Sequence, residues 1–240
     1  MIYKNYKRNH VIYPGREKAL DDFINSTVFI NGKNVKHKLR HSISSNSEDA
    51  LTWSCFDVLR QLSKDIIDTA LDEIMEDAFG MEADFSFKDQ KELKIDIGKS
   101  YHSKNESGTE LDASIETKDK IIFFEAKLYS GISLENDETL FDQIIKKLRV
   151  GLEYANETNK EFYFIFLDIA PIEYISKFGD KKSISAIRFD EYKKGGEALE
   201  EKLKGISYED INKVTANMGW LTWACLFKTV LRATIKGAKF

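Results

Sequence analysis

The sequence predicts an α/β fold in which a mixed β-sheet is flanked by helices, and three observations lead to that prediction. The spacing of apolar residues switches from helical to a period of two between Leu93 and Leu128. The uninterrupted apolar run Phe162-Tyr163-Phe164-Ile165-Phe166-Leu167 reads as a strand buried on both faces. Between them lies a helical pattern, so the chain takes a strand, crossover helix, strand step, the connection that a parallel pair requires.

Taken in order, Ser45-Asn46-Ser47-Glu48 has the form of a helix start, with Ser45 as cap and Glu48 three positions later. Leu51, Cys55, Leu59 and Leu62 then recur at helical spacing, and the pattern resumes at Ile66, Ala70, Ile74 and Ala78 after a break near Ser63. Three runs read as strands: Leu93 to Gly98, Glu110 to Thr117 and Ile121 to Leu128, the last two joined by the tight turn Thr117-Lys118-Asp119-Lys120. A helix is expected over Thr139 to Ala155, with Leu140, Ile144, Leu148 and Leu152 on one stripe. After the 162–167 strand, Ser183 to Phe189 reads as a further strand. The remainder reads as helical and ends in a stripe of Trp220, Trp223, Phe227, Val230 and Leu231, a core face or a homodimer surface. The domain reading is a basic extension over 1–44 and a single domain over 45–240, with its core at 45–170 and a helical addition at 190–240.

The 240 residues are 42% hydrophobic, enough for an ordinary core. Cys55 and Cys225 sit among apolar or aromatic neighbours and read as buried free thiols in a reducing cytoplasm. His10, His37, His41 and His102 lack the spacing of zinc ligands and read as surface residues. No apolar stretch has the form of a signal peptide or a membrane span, so a cytoplasmic protein is expected. The net charge of −4 hides an asymmetry: residues 1–47 hold nine Lys or Arg against three acids. Lys33, Lys36, Lys38 and Arg40 belong to this arm, which is either a solvated surface or a contact to nucleic-acid phosphates.

Alternation along Ile121 to Leu128 places Glu125 and Lys127 on one face with Ile121 and Phe123, so a carboxylate and an ammonium end an otherwise apolar strand. In the preceding strand Glu110, Asp112 and Ser114 share a face opposite Leu111, Ala113 and Ile115, and hairpin pairing lets Asp112 stand beside Glu125. Two carboxylates at low dielectric repel unless one takes a proton or a divalent cation lies between them. Hard oxygen ligands select Mg²⁺, for which Mn²⁺ can substitute.

The segment Thr109-Glu110-Leu111-Asp112-Ala113-Ser114-Ile115, followed by Phe124-Glu125-Ala126-Lys127, resembles the signature of the PD-(D/E)xK nuclease superfamily, with Leu111 where the family's name has proline. The resemblance covers roughly residues 45–170 and implies a restriction endonuclease-like αβββαβ core with additions at both ends. It implies that Asp112 and Glu125 bind the metal, that the Ala126 carbonyl completes its shell and that Lys127 orients or helps deprotonate the attacking water. Glu48 lies on the stripe of Leu51, Cys55 and Leu59, and the resemblance makes it a further metal ligand; the alternative is stabilisation of the helix dipole. Gln143, at the start of the following helix, matches a glutamine common among such nucleases. With Lys146 it can reach a phosphate or the water, or else belongs to a solvated face. Glu110 is an accessory ligand or simply exposed. The expectation is a Mg²⁺-dependent nuclease acting on DNA in restriction, phage defence or repair, and the competing one is a silent nuclease-fold protein that binds DNA or serves as a scaffold.

Overall fold

Five strands form one mixed sheet at the centre of the computed structural model, which describes residues 15–25, 28–30, 33–35, 47–80, 85–102, 108–136 and 140–237. In chain order the elements begin with α1 (Glu17–Asn25), β1 (Val28–Ile30), β2 (Lys33–Val35), α2 (Glu48–Leu59), α3 (Lys64–Phe79), β3 (Leu93–Ile97), β4 (Ser100–Tyr101) and β5 (Thr109–Glu110). They continue with β6 (Ala113–Thr117), β7 (Lys120–Ala126), α4 (Gln143–Thr158), β8 (Glu161–Asp168), α5 (Ile172–Ile175), α6 (Lys181–Lys194), α7 (Glu197–Lys202), α8 (Tyr208–Ala216), β9 (Met218–Thr222) and α9 (Trp223–Gly237). The sheet order is β3-β6-β7-β8-β9. β3, β6 and β7 are antiparallel neighbours, whereas β7 with β8 and β8 with β9 run parallel. The α/β class and the mixed, helix-flanked sheet are therefore as expected from the sequence. Among the described residues no helix is long and apolar enough to cross a membrane.

The sheet separates two apolar layers because its central strands alternate as their sequence demands. Ile122, Phe124, Ala126, Ile165 and Leu167 face α2, α3 and α9. Ile121, Phe123, Phe162, Phe164 and Phe166 face α4, α6 and α8. α4 approaches β8 so closely that a Cβ at Gly151 would stand 2.2 Å from the Phe162 ring, so only glycine fits there. The amino-terminal α1 packs Leu20 and Ile24 against Trp53 and is tied to α2 by a two-pronged contact of Arg16 with Asp57, at 2.9 and 2.6 Å.

Several expectations need correction. Ser47, not Ser45, caps α2, its hydroxyl accepting from the Ala50 N–H at 3.3 Å; Ser45 itself lies outside the described residues. The helix expected from Thr139 begins at Gln143, because Asp142 captures the Ile145 N–H and leaves Leu140 83% exposed in the preceding loop. Ser183–Phe189 is helical within α6, whose start is set by Asp180 accepting from the Lys182 and Ser183 N–H groups. The carboxyl-terminal region is not all helical, since β9 adds a fifth strand beside β8. Trp220 thus belongs to a strand, stacked on Phe166 at 4.9 Å, and Trp223 and Val230 are buried. Of that stripe Trp220 is half-buried, and Phe227 and Leu231 are exposed.

The strand expected over Glu110 to Thr117 is broken. β5 pairs with β4, β6 pairs with β3 and β7, and Leu111-Asp112 lie between the two ladders. Leu111 therefore packs in the α4 layer with Tyr101, while Ala113 packs in the opposite one, against the simple alternation of the sequence. Both cysteines are free, Cys55 buried as expected and Cys225 only half-buried. His102 is exposed. His10, His37 and His41 lie outside the described residues.

Candidate active site

The carboxyl-terminal end of β7 gathers charge from both layers of the molecule. The hairpin register pairs Ala113 with Phe124, which carries Asp112 to the level of Glu125. Asp112 is half-buried, and one of its oxygens, Oδ2, accepts the Ala126 N–H at 2.7 Å. Alternation returns Lys127 to the side of Glu125, and the Lys127 Nζ donates to Glu125 Oε1 at 2.6 Å. Across the rim, Glu48 comes from the first turn of α2. Its Oε2 accepts from the Leu128 N–H at 2.7 Å and the Ser130 hydroxyl at 3.2 Å, and its Oε1 stands 3.5 Å from the Lys127 Nζ. The site thus has the predicted residues Glu48, Asp112, Glu125, Ala126 and Lys127 together.

A fifth charge was not anticipated. Lys147 of α4 stands 2.9 Å from Glu125 Oε2, donates to the Glu110 carbonyl and lies 3.4 Å from the Thr109 hydroxyl. A signal for it exists in the sequence: Lys147 falls three positions after Ile144 and next to Leu148, inside the apolar stripe rather than opposite it. Gln143 is engaged elsewhere, its side-chain oxygen accepting from the Ser133 N–H at 3.2 Å. Lys146 is half-buried on α4, one position away from the lysine that meets Glu125. Glu110 is half-buried, and its carbonyl accepts from Lys147. Lys33 lies on β2, of which the backbone alone is described, and Lys36, Lys38 and Arg40 lie outside the described residues.

Burial separates the protonation behaviour of these groups. Desolvation, and then the neighbouring Glu125 charge, push the Asp112 carboxyl up to about 8, against the pull of Lys127 and Lys147. Desolvation also raises Glu48, only partly offset by Lys127 and the Leu128 N–H. At Glu125 the same burial is outweighed by Lys127 and Lys147, which hold its carboxyl below the ordinary range. Lys127 is buried too, yet Glu125, Glu48 and Asp112 together raise its ammonium above the usual lysine value. At neutral pH Asp112 therefore keeps its proton, while Glu125 is ionised beside the Lys127 ammonium.

Such an arrangement is expensive for folding, since buried charges recover their desolvation cost only with good geometry. Perturbed acids and a fixed cation at one point are what proton transfer and phosphate chemistry require. Among the described residues, no three His, Cys, Asp or Glu side chains stand as a group ready to hold a metal ion. The carboxylates converge on Lys127 instead. No family model, curated protein or solved structure matches the chain.

Proposed function

We propose that the protein is a metal-dependent phosphodiesterase that cuts nucleic acid, DNA above all, with a restriction endonuclease-like core of the PD-(D/E)xK kind. The observation that carries this reading is the meeting of Glu48, Asp112, Glu125, Lys127 and Lys147, drawn from three distant stretches of sequence, at one end of β7. The element order supports it, because a helix precedes the three antiparallel strands and a crossover helix and parallel strand follow them.

The donor set fits a hard divalent cation in chemistry. Glu48, Asp112 and Glu125 supply carboxylate oxygens, and the buried Glu125 Oε2 meets Lys147 at 2.9 Å. These residues, with the Ala126 carbonyl, would hold Mg²⁺ or Mn²⁺, and the cation would supply acidity to a water and neutralise charge on phosphorus. Ligation needs Asp112 deprotonated, so binding would release its proton. Lys127 stays cationic beside three acids, which suits it to donate to a phosphate oxygen or orient the water rather than to accept the water's proton. Lys147 keeps Glu125 ionised from the far side.

A second reading, a nuclease-fold protein that binds nucleic acid without turnover, is favoured by one observation: both oxygens of Glu125 already face lysines. Incubation with circular and linear, single- and double-stranded DNA in Mg²⁺, Mn²⁺ or chelator separates the two. Cleavage is expected only with a divalent cation, falling at least about 100-fold in Asp112→Ala and Lys127→Ala. Undiminished cleavage by either variant would overturn the assignment. Binding with no cleavage under any metal would favour the second reading.

A further inference from the structure

Lys127 and Leu128 lie beyond Ala126, the last residue of β7, where the ladder ends and their backbone groups must find other partners. All four find one. The Lys127 N–H donates to the Leu167 carbonyl at 2.7 Å, and the Leu128 N–H to Glu48 at 2.7 Å. The Lys127 carbonyl accepts from the Trp223 indole at 3.0 Å, and the Leu128 carbonyl accepts from the Lys182 Nζ at 3.1 Å. Lys182 is held in turn by Asp168 Oδ1 at 2.6 Å, an oxygen that also accepts the Ile169 N–H at 2.6 Å. The start of α6 is pressed onto this stretch, since a Cβ at Gly131 would stand 2.4 Å from the Lys181 carbonyl.

Stability alone does not account for the pair. Asp168 is 0% exposed and Lys182 5%, and Asp168 Oδ2 has no hydrogen-bond partner among the described residues. A buried ion pair with an unsatisfied oxygen is a poor choice where apolar residues would serve. Its geometry has a different use, because Leu128, whose N–H is gripped by Glu48, is gripped by Lys182 through its own carbonyl.

We infer that Lys182 and Asp168 are positioning residues that hold the Lys127-Leu128 segment, and through it Glu48, in register with Glu125. This rests on the reading above for its consequence in catalysis but not for its consequence in structure. A misplacement on the order of 1 Å costs about 100-fold in rate. Because Lys182→Met alone would strand the Asp168 charge, the decisive variant is Lys182→Met with Asp168→Asn, which removes both charges at similar volume.

The double variant is expected to melt within about 5 °C of the wild type. Amide exchange at Leu128 should quicken at least about tenfold while Phe123 and Phe124 stay protected. With an oligonucleotide and Mg²⁺, kcat should fall about 10- to 100-fold at unchanged KM. Unchanged exchange at Leu128, or faster exchange with wild-type kcat, overturns the inference. If the wild type cleaves no nucleic acid, the nuclease reading fails, and exchange at Leu128 decides the positioning role by itself.

Discussion

The two ends of β7 carry the same kinds of charge and behave in opposite ways. At its start Lys120 faces Asp119 at 3.4 Å and Glu161 at 3.3 Å, and those two acids are 55% and 43% exposed. At its end Lys127 faces Glu125 at 2.6 Å with the side chains 7% and 1% exposed, and a second lysine closes the other side. Water screens the first group, and such pairs contribute about 0–1 kcal/mol. In the second, protein replaces water, so each charge depends on its neighbours and protonation shifts follow. What distinguishes a candidate site here is the exclusion of solvent around converging charges, in a chain that is 32% charged throughout.

This contrast can be broken or sharpened by substitution at either end. Removing the buried ammonium in Lys127→Met should have the largest effect, a loss on the order of 3 kcal/mol in urea unfolding, because Glu125 and Glu48 lose a common partner. A loss under about 1 kcal/mol would mean that the two ends are energetically alike.

The next effect depends on pH. Folded Asp112 keeps its proton up to about 8, against an ordinary value of 3.8, so between these limits the folded state binds more protons than the unfolded chain. Stability therefore declines as pH rises through that window, and the loss is complete above it. Asp112→Asn, which keeps an oxygen for the Ala126 N–H, should gain on the order of a few kcal/mol at about pH 9 in chelator, shrinking to nothing near about pH 3. Urea unfolding at three pH values measures this, and a gain independent of pH would contradict the burial of that acid. The smallest effect belongs to Lys120→Ala, expected to change stability by no more than about 1 kcal/mol and to leave cleavage at the wild-type rate.

Much of the site was legible because it rests on local periodicity. The alternation from Ile121 onwards predicts that Glu125 and Lys127 share a side, and a tight turn at 118–119 brings Asp112 to the level of Glu125. Glu48 on the stripe of Leu51 and Cys55 follows from helical spacing, and its carboxylate meets the Leu128 peptide. Other features had weaker signals. The Ser183–Phe189 run fits either period, and the cap at Asp180 decides for the helix. Trp220 looks helical beside Trp223 until β9 finds the open edge of β8. Lys147 is hidden by its type, since a lysine within an apolar stripe reads as an interruption until its partner is known.

From the order of its residues alone, this chain determined which stretches alternate, which recur every three to four positions, and that two opposite charges end a buried strand. These are properties of neighbouring residues, carried by backbone geometry over a turn or a pleat. Only the tertiary structure decided that the predicted strand breaks at Leu111-Asp112, that Lys147 reaches Glu125, and that Trp223 and Lys182 hold the peptides beyond Ala126. The reason is that these depend on which surfaces pack together and exclude water, and a charge acquires its partner and its protonation state from that environment.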